Sequence, residues 1–417
     1  VSKRAARDSD VLIVGGGAAG LAAAVFAASL RPDWNVRVLC GGRVLGAKLL
    51  LSGGGRCNLT HRIVSETDFN GAAPRLVRRV LRALPVAATL AFFREIGIDA
   101  REERDGRVFA ASNRSRDVRD ALVAAACARG VGLATGARVA AVERGADGFA
   151  VTTAQGAIYG APRIVLATGG CSYPQTGSDG SGYALAEALG HSIVTPTPAL
   201  VPLALEGRIH RRLSGVSHPA TLRVRTAAGQ CLRLRGALLW THFGVSGPVV
   251  LDASRHWLRA RLEGRAERVS LGFCPDDDAA SLERRLLAIA AVRPRVSLAA
   301  ALTELLPRAV VHALLEETGI PSARPISQLP REGRRWLVRA LTEWPLCVRD
   351  SRGWAAAEVT AGGVPLDEVD CATMTSRRCP GLHLAGEMLD VDGRVGGFNL
   401  QWAWSSAYAA TRGLTSV

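Results

Sequence analysis

"DVLIVGGGAAGLAAAVFAASL", residues 10–30, is the stretch on which the fold turns. Val11 to Val14 is a short apolar run bounded by Asp10 and a glycine, the length and composition of a buried parallel strand. Gly15, Gly17 and Gly20 follow in Gly-x-Gly-x-x-Gly spacing, and an alanine-rich run without proline continues to Leu30. A glycine motif alone is weak evidence, but strand, tight turn and helix in this order are the context a dinucleotide site requires. Gly15 permits the turn, Gly17 lets a pyrophosphate approach, and Gly20 lets the helix pack on the strand. The phosphates then sit against the positive helix N-terminus, at Ala18 and Ala19.

The next strand, "NVRVLC", ends on Cys40, where an acidic residue would take the adenosine ribose; Arg43 is the candidate to contact phosphate or adenine instead. A second glycine cluster, "SGGGRCN" (52–58), comes soon after. Glycine is kept where φ must be positive or where something approaches the backbone closely, so two clusters near each other point to one long ligand.

With 417 residues, 48% hydrophobic and 21% charged, the chain can bury a sizeable core and divide into two or three domains. No apolar run is long enough to span a bilayer and "VSKRAARDSD" lacks the apolar core of a signal peptide, so a cytoplasmic protein without a membrane partner is expected. Nine cysteines, odd in number and without CxxC spacing, argue against a metal site or a redox pair and for buried, reduced thiols. The net charge is +15, supplied almost wholly by arginine. A GC-rich genome produces that pattern without selection for binding. Local clusters, "RLVRR" (75–79), "RIHRRL" (208–213) and "REGRRWLVR" (331–339), keep RNA binding open beside a merely solvated basic surface.

Further blocks follow the second glycine cluster: "GAKLLLSGGGRCNLTH" (46–61), "RVFAASNRSRDVRDAL" (107–122), "LATGGCSYPQTGSDGSGYALAEALGH" (166–191), "PALVPL" (198–203), "THFGVSGPVVL" (241–251), "TAGGVPLDEVD" (360–370) and "GLHLAGEMLDVDGRVGGFNLQWAWSSAYAA" (381–410). In this order, over almost the whole chain, they resemble the bacterial HI0933-like or BaiN-like NAD(P)/FAD-dependent oxidoreductases, whose hallmark reads G-x-K-x-L-x-S-G-G-G-R-C-N. The resemblance implies an α/β fold: a Rossmann-type FAD-binding domain interrupted by an inserted β-rich, barrel-like and helical region. FAD is the implied cofactor and NAD(P)H a transient electron donor. The expected boundaries are 1–195 with 346–417 for the FAD domain, 196–278 for the β-rich insert and 279–345 for a helical subdomain. Within the insert, "TLRVRTAAGQCLRLRGALLWTHFGVSG" reads as antiparallel strands about a turn at Ala228-Gly229.

Site residues follow from the residues and the resemblance together. Ser52, Gly53, Gly54 and Gly55 are expected to wrap the middle of the FAD, with Arg56 balancing pyrophosphate charge and Asn58 supplying amide bonds. Lys48, one of two lysines in an arginine-rich chain, reads as a compact point charge near a phosphate or the flavin, or as a surface lysine. Thr168 and Gly169 end a short buried strand beside the nucleotide. After Ala-Gly386, Glu387 is expected to bond a ribityl hydroxyl. Gly396 and Gly397 would present the amides of Phe398 and Asn399, ahead of Leu400 and the last helix, to the flavin pyrimidine edge, where a positive helix end stabilises reduced flavin. Cys57 is either a proton donor of lowered pKa beside Arg56 or an inert buried thiol. Tyr173 and His242 are candidates to line a cleft between insert and flavin, and His242 reads equally as a core histidine.

A second strand-GxGxxG-helix unit is missing, which excludes a two-dinucleotide disulfide reductase. What the resemblance implies is hydride transfer from FAD N5 to an electron-poor C=C bond: a steroid-type or secondary-metabolism enone, or a uridine of 23S ribosomal RNA. A flavin-binding redox sensor without turnover is the alternative from another class.

Overall fold

A computed structural model describes residues 9–225, 231–265 and 268–415. The chain forms two compact units, Val1–Thr197 with Glu358–Val417, and Pro198–Ala357. The second crossing falls later than the expected residue 346 because strand Val348–Ser351 pairs antiparallel with Leu203–Leu205, which keeps it in the insert. The β-rich and helical parts expected as separate subdomains share one core.

The first unit is built on a seven-stranded sheet, in order Val369–Asp370, Thr375–Ser376, Leu382–Leu384, Arg163–Leu166, Val11–Val14, Val36–Cys40 and Gly132–Thr135. The last five run parallel. Val11–Val14 sits among them and is buried on both faces, which is why it is apolar at every position. Its neighbour Arg163–Leu166 comes from mid-chain and Leu382–Leu384 from near the end, so three sequence-distant turns leave the same carboxyl edge side by side. Ladder bonds carry on into those turns: Ala167 N–H donates to Val14 O at 2.8 Å and Ala385 N–H to Leu166 O at 3.0 Å.

The first helix, Ala18–Leu30, is alanine-rich and almost wholly buried. Its small side chains admit the last helix, Phe398–Thr415, with Phe26 edge-on to Tyr408 at 5.1 Å between ring centroids. That last helix also clamps two site segments. Trp402 Nε1 donates to Gly386 O at 3.1 Å, and Ser406 Oγ accepts from Gly386 N–H at 2.9 Å. Trp404 Nε1 donates to Leu59 O at 2.9 Å, and Thr60 Oγ1 bonds Gln401 Oε1 at 2.7 Å, both in strand Asn58–His61.

The second unit carries another seven-stranded sheet, antiparallel, whose longest strands are Ser217–Arg225 and Cys231–Thr241, flanked by Arg268–Gly272. The turn expected at Ala228-Gly229 lies outside the described residues. Ala220, Leu222, Val224, Leu238, Trp240, Val269 and Leu271 turn to its core, together with helices Pro248–Leu262, Ala279–Val292, Arg308–Thr318 and Arg331–Thr342.

Candidate cofactor site

The glycines of the first turn divide into those the chain itself fills and one it leaves open. A Cβ on Gly15 would lie 2.2 Å from Ala167 O, and one on Gly20 only 1.8 Å from Gly15 O. Both are demanded by backbone packed against backbone. A Cβ on Gly17 would meet nothing within 4 Å. Gly17 is the N-cap of the first helix, with no side-chain cap and no acidic residue in the first turn. Space is therefore open at the positive end of a helix whose first amides have no side-chain cap, which is where a phosphate binds. Cys40, at the usual acidic position, is buried with its sulfur behind this turn, 2.9 Å from where a Cβ on Gly16 would sit. Arg43 is exposed just beyond it.

Residues 52–55 repeat this arrangement. Gly53, Gly54 and Gly55 have φ of +56°, +67° and +84°, and Cβ atoms on Gly54 and Gly55 would again meet nothing within 4 Å. Ser52 Oγ donates to Leu49 O at 2.7 Å and shapes the turn from inside.

Of the three side chains that follow, Arg56 and Asn58 do not act as expected, and Cys57 takes the inert of its two readings. Arg56 does not hold its charge free for pyrophosphate: Nη1 donates to Glu103 Oε1 at 2.7 Å and the guanidinium lies over the Phe109 ring at 4.0 Å. Cys57 is fully buried, with no surface for a substrate to meet, and that burial pushes its thiol up to about 12, which is the inert-thiol reading. Asn58 spends its amide on the chain. In the orientation that satisfies every atom, it donates to Val108 O at 3.2 Å and Thr60 O at 2.9 Å and accepts from Gly397 N–H at 3.0 Å.

Asn58 thereby ties the 52–58 segment to the loop before the last helix. Gly397 has φ +96°, and a Cβ there would lie 2.4 Å from Thr60 O. Phe398 is buried and stacked on His61 at 4.9 Å, Asn399 holds Gly393 through both amide atoms at 2.8 Å, and Leu400 packs on the core. These side chains are structural. What the loop offers a ligand is the backbone amides that open an 18-residue helix.

A charged centre joins four further segments. Lys48 Nζ pairs with Glu387 Oε2 and also donates to Ser172 Oγ. Ser172 Oγ donates to Glu387 Oε1 at 2.7 Å, and Thr360 N–H donates to the same oxygen at 2.9 Å. Thr360 Oγ1 in turn accepts from Cys171 N–H at 2.8 Å. Lys48 is thus neither a surface lysine nor a lone charge but the counter-ion of Glu387, and the pair keeps about a quarter to a fifth of its surface accessible, at 24% and 20%. Ser172 and Thr360 were not foreseen. They lie in the 166–191 and 360–370 blocks, whose recurrence as glycine-rich segments was the available signal.

Thr168 turns its hydroxyl to the helix Ser181–Ala188, where a Cβ on Gly182 would strike it at 1.8 Å, and Gly169 has φ +79°. Tyr173, next to Ser172, holds a left-handed φ of +51°, strained for a tyrosine. It is partly buried, and that burial, followed by the Glu358 charge, raises its phenol above the ordinary value. His242 belongs to the second unit, exposed in a turn with its ring edge-on to Phe243 at 5.1 Å.

Open space at Gly17, Gly54 and Gly55, a first helix without a side-chain cap and a carboxylate paired with a lysine fit an elongated dinucleotide carrying hydroxyls between its ends. The class these features define is a Rossmann-type nucleotide-binding oxidoreductase. A family model described as "HI0933-like protein Rossmann domain" matches residues 9–413. The chain is 35% identical over 400 residues to a 3-dehydro-bile acid delta(4,6)-reductase of Clostridium scindens, covering 96% of this chain and 97% of that one. It is 33% identical over 411 residues to a ribosomal RNA dihydrouridine synthase of Escherichia coli, covering 98% of each. Among solved structures, a 3-ketosteroid delta1-dehydrogenase from Sterolibacterium denitrificans aligns over 98% of this chain and 99% of its own at TM-score 0.52 and 14% identity, a likeness of fold. The chain belongs to the HI0933-like family and is an FAD-dependent oxidoreductase. Among the described residues no helix is long and apolar enough to cross a membrane.

Proposed function

We propose that this protein saturates a carbon–carbon double bond conjugated with a carbonyl, and that its substrate is a uridine of 23S ribosomal RNA. The observation that carries the reading is the pair of full-length similarities at 35% and 33% to proteins of two different names. A 4,6-diene beside a 3-ketone and the C5=C6 bond of uracil beside its C4 carbonyl pose one chemical problem: a hydride at the far carbon and a proton at the near one. FAD, when bound, supplies the two-electron chemistry, with NAD(P)H as the donor that recharges it.

The rest falls to the chain. Ala18 and Ala19 amides hold the diphosphate, with Gly17 leaving it room. Gly53 to Gly55 line the middle of the ligand. Glu387 accepts from a ribityl hydroxyl, and Lys48 fixes the carboxylate in place by pairing with its Oε2. The amides of Phe398 and Asn399 face the pyrimidine edge of the flavin and favour negative charge there. Tyr173 is the candidate proton donor on position alone: it is the partly exposed neighbour of Ser172, and its phenol carries a proton near neutrality as any tyrosine does. The local arginine clusters, rather than the total charge, favour RNA over an enone, and a cytoplasmic location goes with it.

Mass analysis of 23S ribosomal RNA from cells with and without the gene tests the substrate. A loss of one dihydrouridine on deletion is expected. Unchanged dihydrouridine, with NAD(P)H-dependent turnover of a steroid enone by the purified protein, would transfer the reading to the small molecule that the 35% relative's name describes.

A further inference from the structure

The positive charge is not spread evenly. The second unit, residues 198–357, holds 24 arginines against 14 carboxylates, whereas the larger first unit holds 28 basic against 23 acidic residues. A genome-wide bias toward arginine acts on the whole chain alike and does not produce that contrast.

The sheet of the second unit concentrates the excess on one face. In strand Ser217–Arg225 the alternate residues Ala220, Leu222 and Val224 point to the core, which turns Arg223 and Arg225 outward. The registers then set arginine against arginine: Arg223 lies directly opposite Arg233 on one side, and Arg225 directly opposite Arg268 on the other. Arg235, two residues along from Arg233, faces the same way. Like charges placed opposite each other in an antiparallel pair destabilise it, so this face is unfavourable until an anion covers it. Arg223 has a partner in Thr342 O, at 2.5 Å, and Arg235 has one in Asp276. Among the described residues no carboxylate pairs with Arg225, Arg233 or Arg268. By contrast, each arginine cluster visible in the sequence is at least partly neutralised: Arg78 by Glu66, Arg212 by Glu316, Arg334 by Glu283.

We propose that the outward face of this sheet, centred on Arg225, Arg233 and Arg268, is the surface on which the protein takes up the phosphate backbone of its RNA substrate. The proposal rests on the RNA reading above and adds where that RNA docks. Arginine suits the task, since its planar fork pairs phosphate oxygens two at a time.

The test uses the FAD-loaded full chain and a 23S ribosomal RNA transcript, with dissociation constants measured across salt concentration. Each phosphate contact to single-stranded RNA contributes about 0.7 to the slope of log K against log salt, so three contacts contribute about 2. The triple variant Arg225→Gln, Arg233→Gln, Arg268→Gln is expected to lower the slope by about 2 and to weaken binding by up to roughly 100-fold at 0.1 M salt. Its melting temperature should equal or exceed that of the parent, because repulsion has been relieved. The charge-matched control Arg75→Gln, Arg82→Gln, Arg94→Gln, on exposed positions of the first unit, should bind RNA nearly as the parent does. Equal weakening by both triples overturns the docking surface and leaves the RNA substrate standing. A parent that binds phosphatidylserine vesicles but not the transcript overturns the docking surface and counts against the RNA reading as well. A sheet variant that melts below the parent refutes the claim that these arginines repel one another.

Discussion

Replacing Gly17 with alanine separates a glycine kept for a ligand from one kept for the fold. The added Cβ meets no atom of the chain within 4 Å, and the residue has φ −84°, ψ −167°, which alanine adopts without strain. Two small terms then oppose each other in the FAD-free protein. Alanine restricts the unfolded chain, a gain of about 0.4–1 kcal/mol, and caps a helix less well than glycine, a loss of about the same size. The apo melting temperature should stay within about 2–4 °C of the parent. The methyl instead occupies space above the Ala18 and Ala19 amides. Crowding a close-packed site costs about 1–3 kcal/mol, so the FAD dissociation constant should rise by roughly 5- to 150-fold. Gly20→Ala provides the contrast. Its Cβ would lie 1.8 Å from the Gly15 carbonyl, backbone against backbone, and it should lower apo stability by more than about 3 kcal/mol or prevent folding. Flavin-stripped protein is melted by calorimetry and titrated with FAD by fluorescence quenching. Parent-like FAD affinity in Gly17→Ala, or an apo melt lowered as far as in Gly20→Ala, would refute the reasoning.

The paired charges give a second test: Lys48→Met, which leaves the Glu387 carboxylate without its cation, should cost about 1–3 kcal/mol, and adding Glu387→Gln should restore at least half of that in a thermal double-mutant cycle. A single variant as stable as the parent would mean the pair contributes nothing. Cys57, with its thiol pushed up to about 12, should resist iodoacetamide at pH 8 in the native state while exposed Cys127, Cys231 and Cys347 react, and Cys57→Ala should keep turnover within about twofold of the parent. Selective loss of turnover in that variant would bring the thiol back into the chemistry. His383, buried in the strand beside Arg163–Leu166, has its pKa lowered from 6.5 to about 4, chiefly by burial. The unfolded chain therefore takes up this proton first: the stabilisation is complete above pH about 6.5 and falls as pH drops toward 4, by roughly 2 kcal/mol at pH 5. Urea midpoints at pH 7.5 and 5 measure it, and a His383→Gln variant should lose much of that slope; an unaltered slope would assign the acid sensitivity elsewhere.

The first glycine turn was legible because each of its requirements is local. Strand, turn and helix are contiguous, and the glycines at 15, 17 and 20 are set by contacts within or next to them. The roles of 56 and 58 were not legible, since each depends on a partner far along the chain: Glu103 for Arg56 and Gly397 for Asn58; for Cys57 the sequence left two readings, and only the closed core chose the inert one. The insert showed the same limit. Alternation in 217–225 and 231–241 announces two strands and even an outward set of arginines, yet only the register puts Arg223 against Arg233 and Arg225 against Arg268.

By itself the sequence determined a strand, a glycine turn and a helix at residues 11–30, and through its ordered blocks it marked the family and the cofactor. Tertiary structure alone decided which side chains remain free to meet that cofactor. It placed strands beginning at residues 11, 163 and 382 side by side, and so brought Lys48, Ser172, Thr360 and Glu387 to one point. Glycine spacing is a property of a few neighbouring dihedrals, whereas a charge is paired only when distant segments close on it.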